Sequence, residues 1–364
     1  MKFLIDQSKL DQALKCVQFG LLTRPSLPVL NNVHVKAEDG FVAFTLTDLE
    51  ISITCKAKVE IEEAGETTIA ARKLISIVRR LPSAPIQISS DTDDFVNIRS
   101  GEINFSIQGI SANEFPQPFE FESDVQFSTD KMNLHELVIK TYFATSSDST
   151  RAAICGPLLK YENDSLSCVA TDGKRLAIMT SDFSSDFEGQ CIIPPKTNNA
   201  LLKLMAGDGD VSIGIDEKHM SFEFINEYGQ STAINSQLIM AKYPNYSAII
   251  PDEAEHTAIL KREELLTALK RIALILSESE HGIKLEFKDN SLVIQAQTQD
   301  DESKEDLEIN FSGQASIAFN PVYLIDPLKT LTCEEVTLKF SHSNSAASLS
   351  DNKGFLYVLM PMRM

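Results

Sequence analysis

Residues 2–14 read KFLIDQSKLDQAL. A short alternating run passes through a polar step into an amphipathic helix, with Leu10 and Leu14 spaced i, i+4 on one face. The same plan returns in QFSTDKMNLHELV at 126–138 and in TAILKREELLTAL at 257–269. Leu134 and Leu265 correspond to Leu10, and Val138 and Leu269 to Leu14. Asp6-Gln7-Ser8 and Asp130 offer helix N-cap groups. A second helical pattern also occurs three times: ARKLISIVRRLP from Ala71, PKTNNALLKLM from Pro195 and NPVYLIDPLKTL from Asn320. Pro327 falls inside the last of these and is expected to kink or shorten it, because proline lacks the N–H an interior helical residue donates. Short β-type runs surround the helices, among them FVAFTL, LSCVA, VSIGI, LVIQAQ and FLYVLM. Each third therefore reads β-α-β-β-β-α-β-β-β. The period, about 124–131 residues, is too long for a solenoid and indicates a triplicated domain.

The 364 residues, 43% hydrophobic, exceed one typical domain of ~100–150 residues. Two connectors, EFPQPFEFESD at 114–124 and YPNYSAIIPDEAEH at 243–256, each hold an aromatic-Pro step (Phe115-Pro116, Tyr243-Pro244). They divide the chain into domains 1–121, 122–251 and 252–364. Each domain is expected to be α+β, with two helices packed on antiparallel sheet. There is no apolar run of ~18 residues to suggest a membrane span, and MKFLIDQSKL does not read as a signal peptide. Six scattered cysteines without a CxxC pair suit reduced thiols in a cytoplasmic protein. No metal site and no cofactor are expected, since Cys and His show no ligand spacing and the glycines form no cofactor loop.

VATDGKRLA at 169–177 has the look of a site. Its single Gly does not make a phosphate loop. Thr171-Asp172 has a twin 124 residues earlier, Thr47-Asp48 in TLTDLEISI, and the duplication favours a turn over catalysis. The competing readings are a triplicated-domain hydrolase using Asp48 or Asp172, and a triplicated scaffold that never meets DNA. After the Asp the copies diverge, Leu49-Glu50 in one and Gly173-Lys174-Arg175-Leu176 in the other, so the second copy is expected to have a use of its own.

Seven fragments in fixed order carry a family resemblance: MKF at the start, TRPSLPVLNNV at 23–33, TDLE at 47–50, ARK at 71–73, ATDGKRLA at 170–177, YPNY at 243–246 and YVLMPMRM at 357–364. Over its full length the chain resembles the bacterial DNA polymerase III beta subunits, the DNA sliding clamps. The resemblance implies three clamp domains per chain and a ring formed by a head-to-tail homodimer around double-stranded DNA. It implies a non-catalytic processivity subunit of the DNA polymerase III holoenzyme. The replicative polymerase catalytic subunit, the clamp loader and other proteins with clamp-binding motifs would be its partners. The charge pattern agrees. Net charge is −19, yet the six helical segments carry +9 and the remainder −28. Helices lining a hole would face phosphate while an acidic exterior repels DNA.

The resemblance also implies sites. A partner-peptide pocket would be lined by Ile154, Thr171, Gly173, Lys174, Arg175, Leu176, Pro244 and Ile249. The last strand and tail would add Val358, Met360, Pro361, Met362, Arg363 and Met364. Flexible methionines suit a groove that repacks around different peptides, and Lys174, Arg175 and Arg363 are expected at its rim. DNA contacts would fall to Arg24, Arg72, Lys73, Arg79 and Lys196. Family members can place a tyrosine pair after the arginine equivalent to Arg151; Ala152-Ala153 stands here, so that loop is not assigned to DNA. The dimer joint would use Phe105 and Ile107 against Ile275 and Leu276, with DDESKED at 300–306 on its acidic side. The basic counterpart is thin, since only Arg99 remains beside Glu102 and Asn104, and the joint is expected to lean on apolar burial.

Overall fold

The first repeat runs β1 (Lys2–Asp6), α1 (Gln7–Val17), β2 (Asn32–Glu38), β3 (Phe41–Thr47), β4 (Ile51–Lys58), β5 (Glu60–Glu63), β6 (Gly65–Ala70), α2 (Ala71–Val78), β7 (Pro85–Ser90), β8 (Phe95–Ser100) and β9 (Ile103–Gln108). The second runs β10 (Val125–Asp130), α3 (Lys131–Ile139), β11 (Leu158–Tyr161), β12 (Ser165–Thr171), β13 (Arg175–Asp182), β14 (Gly189–Ile192), α4 (Pro195–Leu204), β15 (Asp210–Ile215), β16 (His219–Ile225) and β17 (Ser231–Gln237). The third runs β18 (His256–Lys261), α5 (Arg262–Ile272), β19 (Ile283–Lys288), β20 (Ser291–Gln297), β21 (Glu302–Glu308), β22 (Ala315–Phe319), α6 (Pro321–Thr330), β23 (Glu335–Phe340), β24 (Ala347–Ser350) and β25 (Phe355–Leu359). These elements come from a computed structural model that describes residues 1–21, 26–117, 123–162, 164–184, 186–276, 282–341 and 345–362.

Both helices of every repeat form where the i, i+4 pattern places them. Leu10, Leu14 and Val17 of α1 are buried, as are Leu265, Leu269 and Ile272 of α5. Asp130 caps α3, its Oδ1 accepting from Met132 N at 2.7 Å and Asn133 N at 3.2 Å. Asp6 stands at the N-cap of α1 without a side-chain bond there. The expected strand count falls short. Each repeat inserts a further strand before its second helix, β6 on β2, β14 on β11 and β22 on β19, and the first repeat adds β5 on β1 as well. GETTIA and GQCI are short and begin with Gly, so neither presents a clear alternating run.

Pro327 does not break α6, which continues to Thr330. The proline leaves the carbonyl four residues earlier, on Tyr323, without its helical donor. Tyr357 Oη donates to that carbonyl at 2.8 Å, so a side chain from β25 replaces the missing backbone bond.

The chain forms two compact units, Met1–His135 with Pro194–Leu238, and Glu136–Ile193 with Ile239–Met364. The first holds a five-stranded sheet, β5-β1-β7-β8-β9, and an eight-stranded one, β10-β15-β16-β17-β4-β3-β2-β6. The second holds an eight-stranded sheet, β14-β11-β12-β13-β25-β24-β23-β18, and a four-stranded one, β21-β20-β19-β22. All pairings are antiparallel among the described residues. Each eight-stranded sheet is a joint between repeats, through β4–β17 in one unit and β13–β25 in the other.

Candidate functional site

The β12–β13 turn is built by its own side chains. Thr171 Oγ1 donates to Arg175 O at 2.6 Å and accepts from Gly173 N at 3.1 Å. Asp172 Oδ1 accepts from Lys174 N at 2.8 Å and Arg175 N at 3.1 Å. The twin repeats this bonding. Thr47 Oγ1 donates to Ile51 O at 3.0 Å and accepts from Leu49 N at 3.1 Å, and Asp48 Oδ1 accepts from Glu50 N and Ile51 N at 2.9 Å. Both aspartates are thus backbone acceptors in side-chain-stabilised turns. The hydrolase alternative loses its proposed base at both positions. The copies differ at the residue in left-handed conformation, Leu49 at φ 78° and Gly173 at φ 89°. Glycine matters at 173, because a Cβ there would lie 2.8 Å from Arg151 Nη2. Arg151 Nη1 in turn donates to Asp172 O at 2.9 Å.

Behind the turn lies an apolar floor. Leu176 and Val358 face each other across β13–β25 and are buried with Ile154, Leu158, Val169 and Tyr243. Tyr243 Oη donates to Val169 O at 3.1 Å, which satisfies the one polar atom this ring brings into the floor. Ile239, Tyr246 and Ile250 pack on its margin. Ile249 and Met360, each 49% exposed, stand with exposed Pro244 where the floor meets solvent. The tail is held by its backbone: Met360 N donates to Lys174 O at 3.1 Å, and Met362 N to Ala318 O at 2.7 Å. Met362 Sδ lies where a Cβ on Gly282 would be 3.3 Å away, so this methionine packs beside β22. Pro361 is half-buried, and Arg363 and Met364 lie outside the described residues.

Elsewhere, Arg72 and Lys73 are exposed in the first turn of α2, and Arg79 is exposed just beyond its end. Arg24 lies outside the described residues. β9 is an edge strand, with Ile103 and Phe105 exposed and Ile107 buried. β21 is an edge strand too, with Glu302, Lys304, Asp306 and Glu308 exposed along it. Ile275 and Leu276, just past α5, are half-buried. Their neighbour Leu274 is 82% exposed.

Three family models match consecutive stretches of the chain: the N-terminal domain of the DNA polymerase III beta subunit at residues 1–118, its central domain at 128–245 and its C-terminal domain at 247–363. The beta sliding clamp of Chlamydia muridarum is 31% identical over all of this chain and 99% of its own length. That of Vibrio cholerae is 32% identical over the whole of both chains. This chain belongs to the beta sliding clamp family. Its fold is the repeated α+β clamp fold and its function is that of a DNA sliding clamp. A Pseudomonas aeruginosa clamp solved bound to griselimycin superposes over the whole of both chains with a TM-score of 0.94 at 31% identity. A Bacillus subtilis clamp superposes over all of this chain and 99% of its own, with a TM-score of 0.94 at 27% identity.

For a clamp, several of the expected cations are already engaged. Arg79 Nη2 donates to Gln18 Oε1 at 3.3 Å and its Nε lies 3.9 Å from Asp11 Oδ1, while the side chain stays exposed. Lys196 Nζ lies 2.5 Å from Asp48 Oδ2 and 2.8 Å from Glu50 Oε2. In this chain Lys196 ties α4 to the β3–β4 turn, and it would have to leave both carboxylates before meeting phosphate. Arg175 is not a rim cation. Its Nε donates to Asp172 Oδ2 at 3.0 Å, Nη1 to Asp326 Oδ2 at 2.8 Å and Nη2 to Phe143 O at 2.8 Å. The guanidinium also lies over Tyr323, 4.6 Å from the ring centroid, and Phe143, 5.6 Å away. Lys174, exposed on the turn, is the cation left at the rim among the described pocket residues. Tyr243, Tyr246 and Ile250 were not expected in the floor; the Tyr243-Pro244 step reads as a connector in the sequence. Among the described residues no cluster of His, Cys, Asp and Glu could hold a metal ion, and no helix is long and apolar enough to cross a membrane.

Proposed function

We propose that two copies close head to tail into a ring around duplex DNA, and that the apolar groove beside the β12–β13 turn takes short peptides from partner proteins. One observation carries the ring. Within the chain, the third strand after the first helix of one repeat pairs with the third strand after the second helix of the next: β4 with β17, then β13 with β25. The strands left over by this rule are β21 of the third repeat and β9 of the first, and both are sheet edges. A second copy would complete the pattern at both ends by pairing β9 of one chain with β21 of the other. In this reading the domains span 1–121, 122–251 and 252–364. Arg72, Lys73, Arg79 and Arg24 face the DNA, without sequence preference. Ile275 and Leu276 meet Phe105 across the joint; Ile107, already buried within its own chain, has little surface to add. The ring is non-catalytic and cytoplasmic, tethers the replicative polymerase and is placed on DNA by a loader.

The groove is the part that partners test. Polymerase and loader must exchange on it, which suits a few apolar anchors over an adaptable methionine-bearing wall. Ile249→Asp and Met360→Asp place charge on exposed rim positions without touching the buried floor. Each is expected to weaken binding of a labelled clamp-binding peptide at least tenfold, about 1.4 kcal/mol or more. The thermal midpoint and the dimer mass should not move. Unchanged affinity in both variants would remove these residues from the peptide site. A monomer on the sizing column would make them structural instead.

A further inference from the structure

Two buried cysteines stand apart from the groove and the joint. Cys16, in the last turn of α1, is 2% exposed and Cys55, in β4, is 0% exposed; both are free thiols. Asn226 Nδ2, from the β16–β17 hairpin, lies 3.2 Å from Cys16 Sγ and 3.8 Å from Cys55 Sγ, so both sulfurs surround one amide. Cys55 Sγ also reaches Gln230 Oε1 at 3.3 Å, and Thr232 Oγ1 donates to Cys55 Sγ at 3.8 Å. The neighbouring Cys55 thiol holds Cys16 below its ordinary pKa, and the neighbouring Cys16 thiol, with burial, pushes Cys55 up. The Asn226 amide donates at the shorter distance to Cys16 Sγ, while Cys55 Sγ donates its own proton to Gln230 Oε1, so Cys16 is the member suited to carry a thiolate and Cys55 the member that keeps its proton.

The second unit has an equivalent contact with different chemistry. Asn226 accepts from Tyr228 N and Gln230 N, as Asp351 in the β24–β25 hairpin accepts from Lys353 N and Phe355 N. Asp351 then receives Lys140 Nζ at 3.2 Å, and Lys140, just past α3, is the repeat equivalent of Cys16. Glu136 pairs the same lysine at 2.7 Å. Where one unit ties hairpin to helix with a buried ion pair, the other has a pair of thiols.

We propose that Cys16 and Cys55 form a reversible intrachain disulfide, pinning α1 to β4, when the protein meets a peroxide. The Cys16 thiolate attacks one peroxide oxygen. The O–O bond breaks, and the departing hydroxide takes a proton and leaves as water, giving a sulfenic acid on Cys16. Cys55 sulfur then attacks Cys16 sulfur. The S–O bond breaks, and the hydroxyl leaves as a second water with the Cys55 proton. Two thiols are oxidised by two electrons and one peroxide is reduced to two waters. Burial slows the oxidant and so sets the rate. It does not oppose the product, because a disulfide is neutral and leaves no charge in the core.

The test uses the full-length protein, treated with hydrogen peroxide and, separately, equilibrated in graded mixtures of reduced and oxidised dithiothreitol. Remaining thiols are alkylated and the digest is read by mass spectrometry. The expected result is a Cys16–Cys55 linked peptide pair, two hydrogens lighter than the thiol form and reversed by reductant. It should be absent from C16S and C55S and retained in C155S. Closing this loop should raise the thermal midpoint by about 5–10 °C. Cys168 and Cys191, also buried, should remain thiols. Recovery of both Cys16 and Cys55 as alkylated thiols across the whole series, even after unfolding and refolding in the same mixtures, overturns the proposal. So does sulfinic acid at Cys16 without the cross-link.

Discussion

Replacing Ile275 and Leu276 together by aspartate is expected to turn a dimer into a monomer at micromolar concentration. Each of these side chains is already half-buried, so covering the remainder contributes roughly 0.8–1.5 kcal/mol, and losing both at the two joints of a ring weakens association about 10²- to 10⁴-fold. The added carboxylates act in the same direction, because β21 already exposes Glu302, Asp306 and Glu308. The charge pattern predicts a weak salt response. Opposite that strand the first repeat offers exposed Arg99 but also exposed Glu102, beside neutral Asn104, so its side of the joint carries no net charge to attract the acidic β21. Raising salt should leave the unmodified dimer nearly unchanged. Sedimentation at two salt concentrations reads both effects. A dimer that survives the double substitution would take these two residues out of the joint, and one that falls apart at high salt would mean the attraction is ionic.

Arg175→Ala should be the most damaging single change to the second unit. The guanidinium joins Asp172 of the turn, Asp326 of α6 and the Phe143 carbonyl, between two aromatic rings. Truncation leaves two carboxylates and a carbonyl facing a cavity, a change that costs about 3–5 kcal/mol when the partners are buried. Lysine should recover little, since one ammonium cannot reproduce a planar fork with three acceptors on separate elements. Peptide binding should fall with stability, because the turn that Arg175 anchors is one wall of the groove. Denaturant unfolding measures the first effect and peptide titration the second. A loss below about 1 kcal/mol would class the network with exposed ion pairs.

The helices were legible because apolar residues at i, i+4 must find a core. The threefold repeat was legible because one pattern recurred with the same polar step. Other features depend on contacts far apart in sequence. No local signal pairs Pro327 with Tyr357, yet that hydroxyl lets α6 run through the proline. Lys196 reads as a helix cation, and only the fold puts Asp48, 148 residues away, against it. Arg175 looks like a rim charge beside Lys174, and the aromatic pair that encloses it comes from two other elements. The additional strands β6, β14 and β22 were missed for a different reason. They are short segments at sheet edges, and GETTIA and GQCI carry too little apolar alternation to stand out from the loops around them. The turn at Thr171-Asp172 was readable from its duplicate, because the duplicate shares the bonding and lacks the glycine.

The central claim is a ring that holds DNA by enclosing it, and the most direct measurement follows the protein on a nicked circular plasmid after loading by its clamp loader. On the closed circle the protein should stay bound through gel filtration at moderate salt. Cutting the circle once should release it, since a ring can slide off an end that it does not grip. Equal retention on cut and uncut DNA would mean that the protein adheres to the duplex directly, and would contradict the ring.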